Sequence, residues 1–197
     1  MNRIKKLELE ELQRIYNNHV IEDFPRNERR PLFSMEKLMK TGKYECFGYC
    51  DDGSLLAYAF YFLAESRQYA LLDYFAVVPG LRGHGTGSEF LRILKGAVSA
   101  KNGVFIEAEN PDSAKSEEEA TLRRRRIRFY RSNGAALTNA KAQLFGVDYD
   151  ILYIGLNGTD LSIKQLDHAA ENLYREVYRP IYGRFCKLYT EDKSDEN

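Results

Sequence analysis

The chain has 197 residues, 44% hydrophobic and 29% charged, enough to bury one sizeable core and, on length alone, to form a single domain. Lys+Arg and Asp+Glu both number 29, so no net field draws it to nucleic acid or an anionic membrane, and a charged partner has to be met locally. The opening MNRIKKLELEELQ lacks the apolar stretch of a secretory signal, and the longest apolar run, Leu55 to Ala64, falls short of the roughly 20 residues of a membrane span; a cytoplasmic protein with no membrane partner is expected.

In chain order, a short strand at Ile4 to Leu7 precedes a helix over Glu8 to Val20, whose apolar positions Leu12, Ile15, Tyr16 and Val20 follow helical spacing. Pro25 and Pro31 break the next stretch, and Leu32, Met35, Leu38 and Met39 mark a second short helix ending at Gly42. YECFGYC and SLLAYAFYFL flank the turn DDG, and ALLDYFAVV returns after AESRQ, which together predict an antiparallel meander. From Gly83 the period changes, with Phe90, Leu91, Leu94 and Val98 on one helical face, and the strand VFIEAE follows at 104–109. Strand, helix, strand in that order requires a parallel pair, strand 71–78 beside strand 104–109, so the sheet is mixed. Ser116 and Glu119 form a capping box that opens a helix running to Asn133-Gly134. GVDYDILYIG reads as a late strand, 162–178 as a final helix stopped before Pro180, and 191–197 as a disordered tail.

Cys46, Cys50 and Cys186 are an odd count, and Cys46 and Cys50 alternate within an apolar strand without a second pair, so all three read as buried thiols. His19 and His168 stand alone on helices, and no metal site is expected.

The most informative stretch is RGHGTG at 82–87, between a strand and a helix. The first N–H groups of a helix have no intrahelical partner and the dipole there favours an anion. Glycines at 83, 85 and 87 let an anion approach the backbone, and Arg82 adds a charged donor; a pyrophosphate suits such a loop. A Walker A loop needs Gly-Lys-Ser/Thr, which is absent. A dinucleotide fingerprint is nearly met by Gly83, Gly85 and Ser88, with Glu107 where a ribose-binding acid falls. Against it, PGLR separates loop from strand, and antiparallel strands come first.

Strand, VVPGLRGHGTG, helix, strand, helix, FYRSNGA, strand resembles the GCN5-related N-acetyltransferase (GNAT) family, whose loop signature Arg/Gln-x-x-Gly-x-Gly/Ala is matched by Arg82, Gly85 and Gly87. The resemblance covers about residues 3 to 155. It implies an α/β (α+β) fold with a mixed, mostly antiparallel sheet flanked by helices and a splayed parallel strand pair at the cofactor site. It also implies an N-acetyltransferase that moves the acetyl group of acetyl-CoA directly to a primary amine, with no metal. By the same resemblance, the backbone of Phe75, Ala76 and Val77 pairs with the pantetheine arm. The amides of Gly83, His84, Gly85, Thr86, Gly87 and Ser88 take the pyrophosphate beside Arg82.

Tyr130, in RFYRSNG, occupies the position of the family's general acid, and an ordinary phenol is protonated at neutral pH. Glu107, on the same strand face as Glu109, is one candidate base; Asp73, a lone carboxylate in an apolar strand, is the other. Seven residues before the tyrosine, where relatives often carry an asparagine that contacts pantetheine, stands Arg123; Asn110 is the candidate substitute. The run Arg123 to Arg126 reads as the exposed side of its helix, balanced by Glu117 to Glu119 one turn back, rather than as an RNA surface.

The acceptor amine is not legible. Arg26, Arg29 and Arg30 point to an anionic group on it, Asp148 and Asp150 to a cationic one. Residues 1–160 read as the acetyltransferase domain and 161–190 as a helical extension packed on it, whose Tyr174, Tyr178, Tyr182 and Tyr189 either line a homodimer interface or cover the sheet. A non-catalytic module that binds acyl-CoA or a dinucleotide is the alternative function.

Overall fold

The computed structural model describes residues 3–179 and 181–190. They group into two compact units, one running up to Glu65 and resuming over Leu72–Val98, the other comprising Ser66–Leu71 and the residues from Ser99 onward.

In the first unit, β1 (Ile4–Lys6) pairs antiparallel with β2 (Tyr44–Asp51). Glu8 is the cap of the first helix rather than its first residue: in a capping box, its N–H donates to Glu11 Oε2 at 3.1 Å, so α1 covers Leu9–Ile15. The helical run does not stop at Val20. A π-helical turn, Tyr16–Val20, is marked by the Ile21 N–H bonding to Tyr16 O, and α2 (Ile21–Asp23) continues until Phe24 turns extended ahead of Pro25. After a 3-10 turn at Arg26–Glu28, α3 (Leu32–Lys40) buries Met35 and is closed by Gly42 at φ +69°.

The hairpin from β2 to β3 (Ser54–Leu63) turns at Asp52 and Gly53, both at positive φ, the geometry that matches strand twist. A register slip between Tyr49 and Cys50 leaves Cys50 half-buried, unlike the fully buried Cys46 and Cys186, which corrects the reading of three buried thiols. Ala57 to Ala64 of β3 and its turn are buried without alternation, as an interior strand covered on both faces requires. Next to it lies β4 (Tyr69–Val77), whose first three residues belong to the second unit. A 3-10 turn at Pro79–Leu81 and the glycine loop then lead into α4 (Thr86–Leu94), whose Phe90, Leu91 and Leu94 face the core.

In the second unit, β5 (Gly103–Glu109) pairs antiparallel with β7 (Val147–Gly155) over its whole length, from Gly103↔Gly155 to Glu109↔Tyr149. A 3-10 turn at Pro111–Ser113 precedes α5 (Glu117–Ser132). The capping box forms only in part: Ser116 accepts from the Glu119 N–H, but Glu119 Oε2 takes the N–H of Lys115, because its other oxygen is held by Arg123. Gly134, at φ +90°, closes the helix as expected. β6 (Ala136–Leu144) pairs antiparallel with β7 on one side and with β8 (Cys186–Thr190) on the other. Between them in sequence runs α6 (Ile163–Val177), so the segment after 160 supplies a strand as well as its helix.

The sheet order is β1-β2-β3-β4-β5-β7-β6-β8, mixed and mostly antiparallel, with β4 and β5 as its parallel pair and helices on its faces. Among the described residues no helix is long and apolar enough to cross a membrane. Pro180 and the stretch 191–197, on which a helix stop and a disordered tail were expected, lie outside the described residues.

Candidate functional site

The glycine loop belongs wholly to the first unit. Gly83 and Gly85 sit at φ +84° and +86°, and a Cβ placed on either would have no heavy atom within 4 Å. Glycine is therefore demanded by the backbone turn, and the space in front of it stays open. Gly85 is the cap residue of α4 and offers no side chain, so no side-chain cap meets the N–H groups of the first turn, which Thr86 and Gly87 open. His84 is exposed, and Thr86, Gly87 and Ser88 are half-buried in the first turn. Upstream on β4, Ala76 is buried, Val77 half-buried, and Phe75 stacks on Phe90 with ring centroids 5.7 Å apart.

Arg82 has partners that sequence reading missed. Its Nε donates to Val77 O at 2.8 Å and its Nη2 to Asp23 Oδ1 at 2.7 Å, while Asp23 Oδ2 accepts from the Tyr58 hydroxyl at 2.9 Å. Asp23 ends α2, 59 residues earlier in the chain, and no periodicity or motif signals that pairing. The guanidinium thus fastens the loop to β4 and to the end of α2.

Asp73 is not a lone carboxylate. Arg30 grips it with both arms, Nε to Oδ2 at 2.9 Å and Nη2 to Oδ1 at 3.4 Å, and the Tyr44 hydroxyl donates to Oδ2 at 2.5 Å. Burial, with Asp73 alongside, pushes the Tyr44 phenol well up, so it stays a donor. Arg30 is in turn committed and offers no spare charge to an anionic acceptor.

In the second unit, Tyr130 is buried near the C-terminal end of α5, edge-on to Phe129 at 5.2 Å. Burial pushes its phenol up to about 12, with Arg126 acting in the opposite sense, so it carries its proton at neutral pH. Glu107 on β5 receives two phenols from the end of α6, Tyr174 within it to Oε1 at 2.5 Å and its cap residue Tyr178 to Oε1 and Oε2 at 3.0 and 3.2 Å. Tyr174 and Tyr178, read from sequence as either interface or cover, are buried against this carboxylate. Their i, i+4 spacing was the available signal, but nothing in the sequence says what they face. Tyr182 lies under the Arg175 guanidinium at 4.7 Å, and Tyr189 is exposed.

Arg123 departs from expectation. It is buried at 7% exposure, not on the solvent face, and donates to Glu109 Oε1 (3.0 Å), Glu119 Oε1 (2.6 Å), Asn110 O (2.7 Å) and Ser113 Oγ (3.1 Å). Its neighbours Arg124 and Arg126 are exposed and pair with Glu117 and Glu109. Asn110 caps the 3-10 turn, accepting from the Asp112 N–H at 2.7 Å, and its amide nitrogen donates to Asp150 at 3.2 Å. Asp150 is buried and paired with Lys141, and Asp148 accepts from Gln143 at 3.0 Å, which removes both as open signs of a cationic acceptor. Among the described residues no three His, Cys, Asp or Glu side chains are grouped to hold a metal.

No protein-family model and no curated protein matches the sequence. Solved structures match its fold. A protein from Bacteroides thetaiotaomicron, described as a GNAT-family acetyltransferase, superposes with a TM-score of 0.68 at 22% identity, over 89% of this chain and 98% of its own. The ribosomal-protein-S18-alanine N-acetyltransferase of Escherichia coli follows at 0.56 and 18%, covering 82% and 97%. An acetyltransferase of Salmonella typhimurium, solved with its cofactor acetyl-CoA, stands at 0.56 and 18%, covering 81% and 96%. The chain therefore has the GNAT fold, as the sequence led one to expect.

Proposed function

We propose that the protein is an N-acetyltransferase that moves the acetyl group of acetyl-CoA to a primary amine in one step. The observation that carries the reading is the loop at 82–87 on a GNAT fold: two glycines at positive φ with open space before them, and a helix start with no side-chain cap. A diphosphate there is met by backbone N–H groups of residues 83–88 and by the dipole of α4. Arg82 contributes by holding the loop, and the β4 backbone at Phe75 to Val77 takes the pantetheine arm. Val77 O there already accepts from Arg82, which takes one of its two lone pairs.

In the transfer, the amine nitrogen attacks the acetyl carbon, the carbon–sulfur bond breaks, and an amide and a thiol result. The nitrogen's surplus proton leaves to Glu107 through water, Tyr130 gives its proton to the departing sulfur, and exchange with solvent carries a proton from Glu107 back to Tyr130. We assign Asp73 a structural part, because the Arg30 guanidinium pairs with its charge, whereas the phenols on Glu107 are neutral. The region 1–160 with its extension is read as one working protein. It serves an amine of unassigned identity.

The test is calorimetric titration of the purified protein with acetyl-CoA, NAD and ATP, followed by Tyr130→Phe. Micromolar binding of acetyl-CoA alone is expected, and Tyr130→Phe should keep that affinity while losing turnover. Binding of NAD alone would overturn the reading in favour of a dinucleotide protein. The second reading, an acyl-CoA-binding module without turnover, is favoured by the fixed partners of both candidate bases. Affinity for acetyl-CoA with no acetylation of an alanine-terminated peptide, a polyamine or an aminoglycoside would support it.

A further inference from the structure

We propose that Tyr174 and Tyr178, which lie outside the motif-bearing stretch 3–155, are positioning residues for Glu107: α6 and its C-terminal cap present two phenols to one carboxylate and fix its orientation for catalysis. The inference rests on the acetyl-transfer reading above.

Three features of the second unit support it. Tyr174 lies in the last turn of α6 and Tyr178 is its C-terminal cap, four residues on, with tilted rings 5.4 Å apart, so the end of one helix delivers both hydroxyls. Their bonds converge on one oxygen: Oε1 of Glu107 receives both phenols, at 2.5 and 3.0 Å, and Tyr178 also reaches Oε2, at 3.2 Å. Donors that reach both oxygens restrict rotation of the carboxylate. Third, Tyr174 is completely buried, where a hydroxyl needs an acceptor, and Glu107 is that acceptor.

The chemistry around the carboxylate is consistent with a group kept ionised. Besides Tyr174 and Tyr178 from α6, Cys186 of β8 lies near enough to feel it: burial first, and Glu107 second, push that thiol up to about 12, so it stays neutral. Ile151 of β7 lies across the sheet from Glu107, and Glu109, two residues on along β5, is occupied by Arg123 and Arg126. The phenols donate to the charged form and so favour it over the protonated one.

The experiment is the pH profile of kcat/KM for Tyr174→Phe, Tyr178→Phe and Glu107→Gln in the full chain, with acetyl-CoA and the best acceptor among the three amines named above. Each Phe variant keeps the ring and removes one donor to the carboxylate, so the acid limb should move up by about one pH unit, with KM for acetyl-CoA unchanged. Glu107→Gln should lose that limb together with most turnover. Glu107→Gln also stands in if a Phe variant fails to fold, since the amide can still accept from both phenols. Profiles that superimpose on the parent's, or a Gln variant that turns over with the parent's profile, would overturn the inference while leaving acetyl transfer standing. A parent that binds acetyl-CoA and acetylates none of the amines would overturn the catalytic reading, and this inference with it.

Discussion

Arg82 Nη2 lies 2.7 Å from Asp23 Oδ1, so the arginine of the glycine loop is tied to the end of the second helical segment. Tyr58 completes the arrangement by donating to the other oxygen of the same carboxylate.

If this tie sets the loop's shape, Asp23→Asn and Arg82→Gln should each weaken acetyl-CoA binding by about tenfold. The stability cost should be small, about 1 kcal/mol or less, since the guanidinium is half exposed and such pairs are screened. Calorimetry and urea denaturation on the same preparations separate the two effects; equal affinity in all three proteins would show that the tie is ornamental to binding.

Asp73→Asn should do the reverse. It leaves the Arg30 guanidinium, little exposed, without its counter-charge, and breaking such a pair costs about 3 kcal/mol. Acetyl transfer per folded molecule should stay within about threefold of the parent, because no proton passes through this residue in the scheme proposed. A loss of two or more orders of magnitude in kcat at unchanged fold would make Asp73 the base.

Arg123→Leu should destabilise by about 3 kcal/mol, because Glu109 loses one of its two arginines and the carbonyl of Asn110 loses its charged donor. Arg124→Ala and Arg125→Ala, on the exposed side of the same helix, should change the unfolding free energy by no more than about 0.5 kcal/mol. Chemical denaturation of the three variants checks the contrast, and equal costs would sink the distinction drawn between buried and exposed members of the run.

The fold should also be labile to alkali. Burial raises the phenols of Tyr130 and Tyr153 from about 10 to about 12, and those of Tyr44, Tyr58, Tyr74 and Tyr174 further. The folded state therefore holds protons that the unfolded chain releases. The stability linked to them is fully present below about pH 10 and is lost as the pH rises through 12. Urea midpoints should fall steadily above pH 10, and phenolate absorbance should stay lower in the folded protein than in urea. Midpoints that hold level to pH 12 would contradict this.

What the sequence discloses depends on whether the cause is local. Gly83 and Gly85 declare a turn because only glycine takes that φ at no cost, and Ser116 and Gly134 mark helix ends by bonds that reach no further than a few residues. The hairpin at Asp52-Gly53 is legible for the same reason. β6 is not, because ALTNAKAQL has no apolar alternation strong enough to stand out, and its strand character comes from being paired on both sides. Arg123 looks like Arg124 in the sequence; only the path of the chain after β5 encloses one and exposes the other. The partners of Asp73 lie 29 and 43 residues away and those of Glu107 67 and 71, beyond any spacing rule.

The wide turn at Tyr16–Val20 carries a consequence for chain length. A π turn holds one residue more than the α turn it replaces, and each residue rotates a helix by about 100°. Deleting a single residue there would let an ordinary α turn close in its place and leave Asp23 near its present phase about the axis, whereas deleting one from the α turns on either side would swing Asp23 about a quarter turn away from Arg82. The spare residue is thus confined to one turn, and only there does this helix tolerate a change in its count.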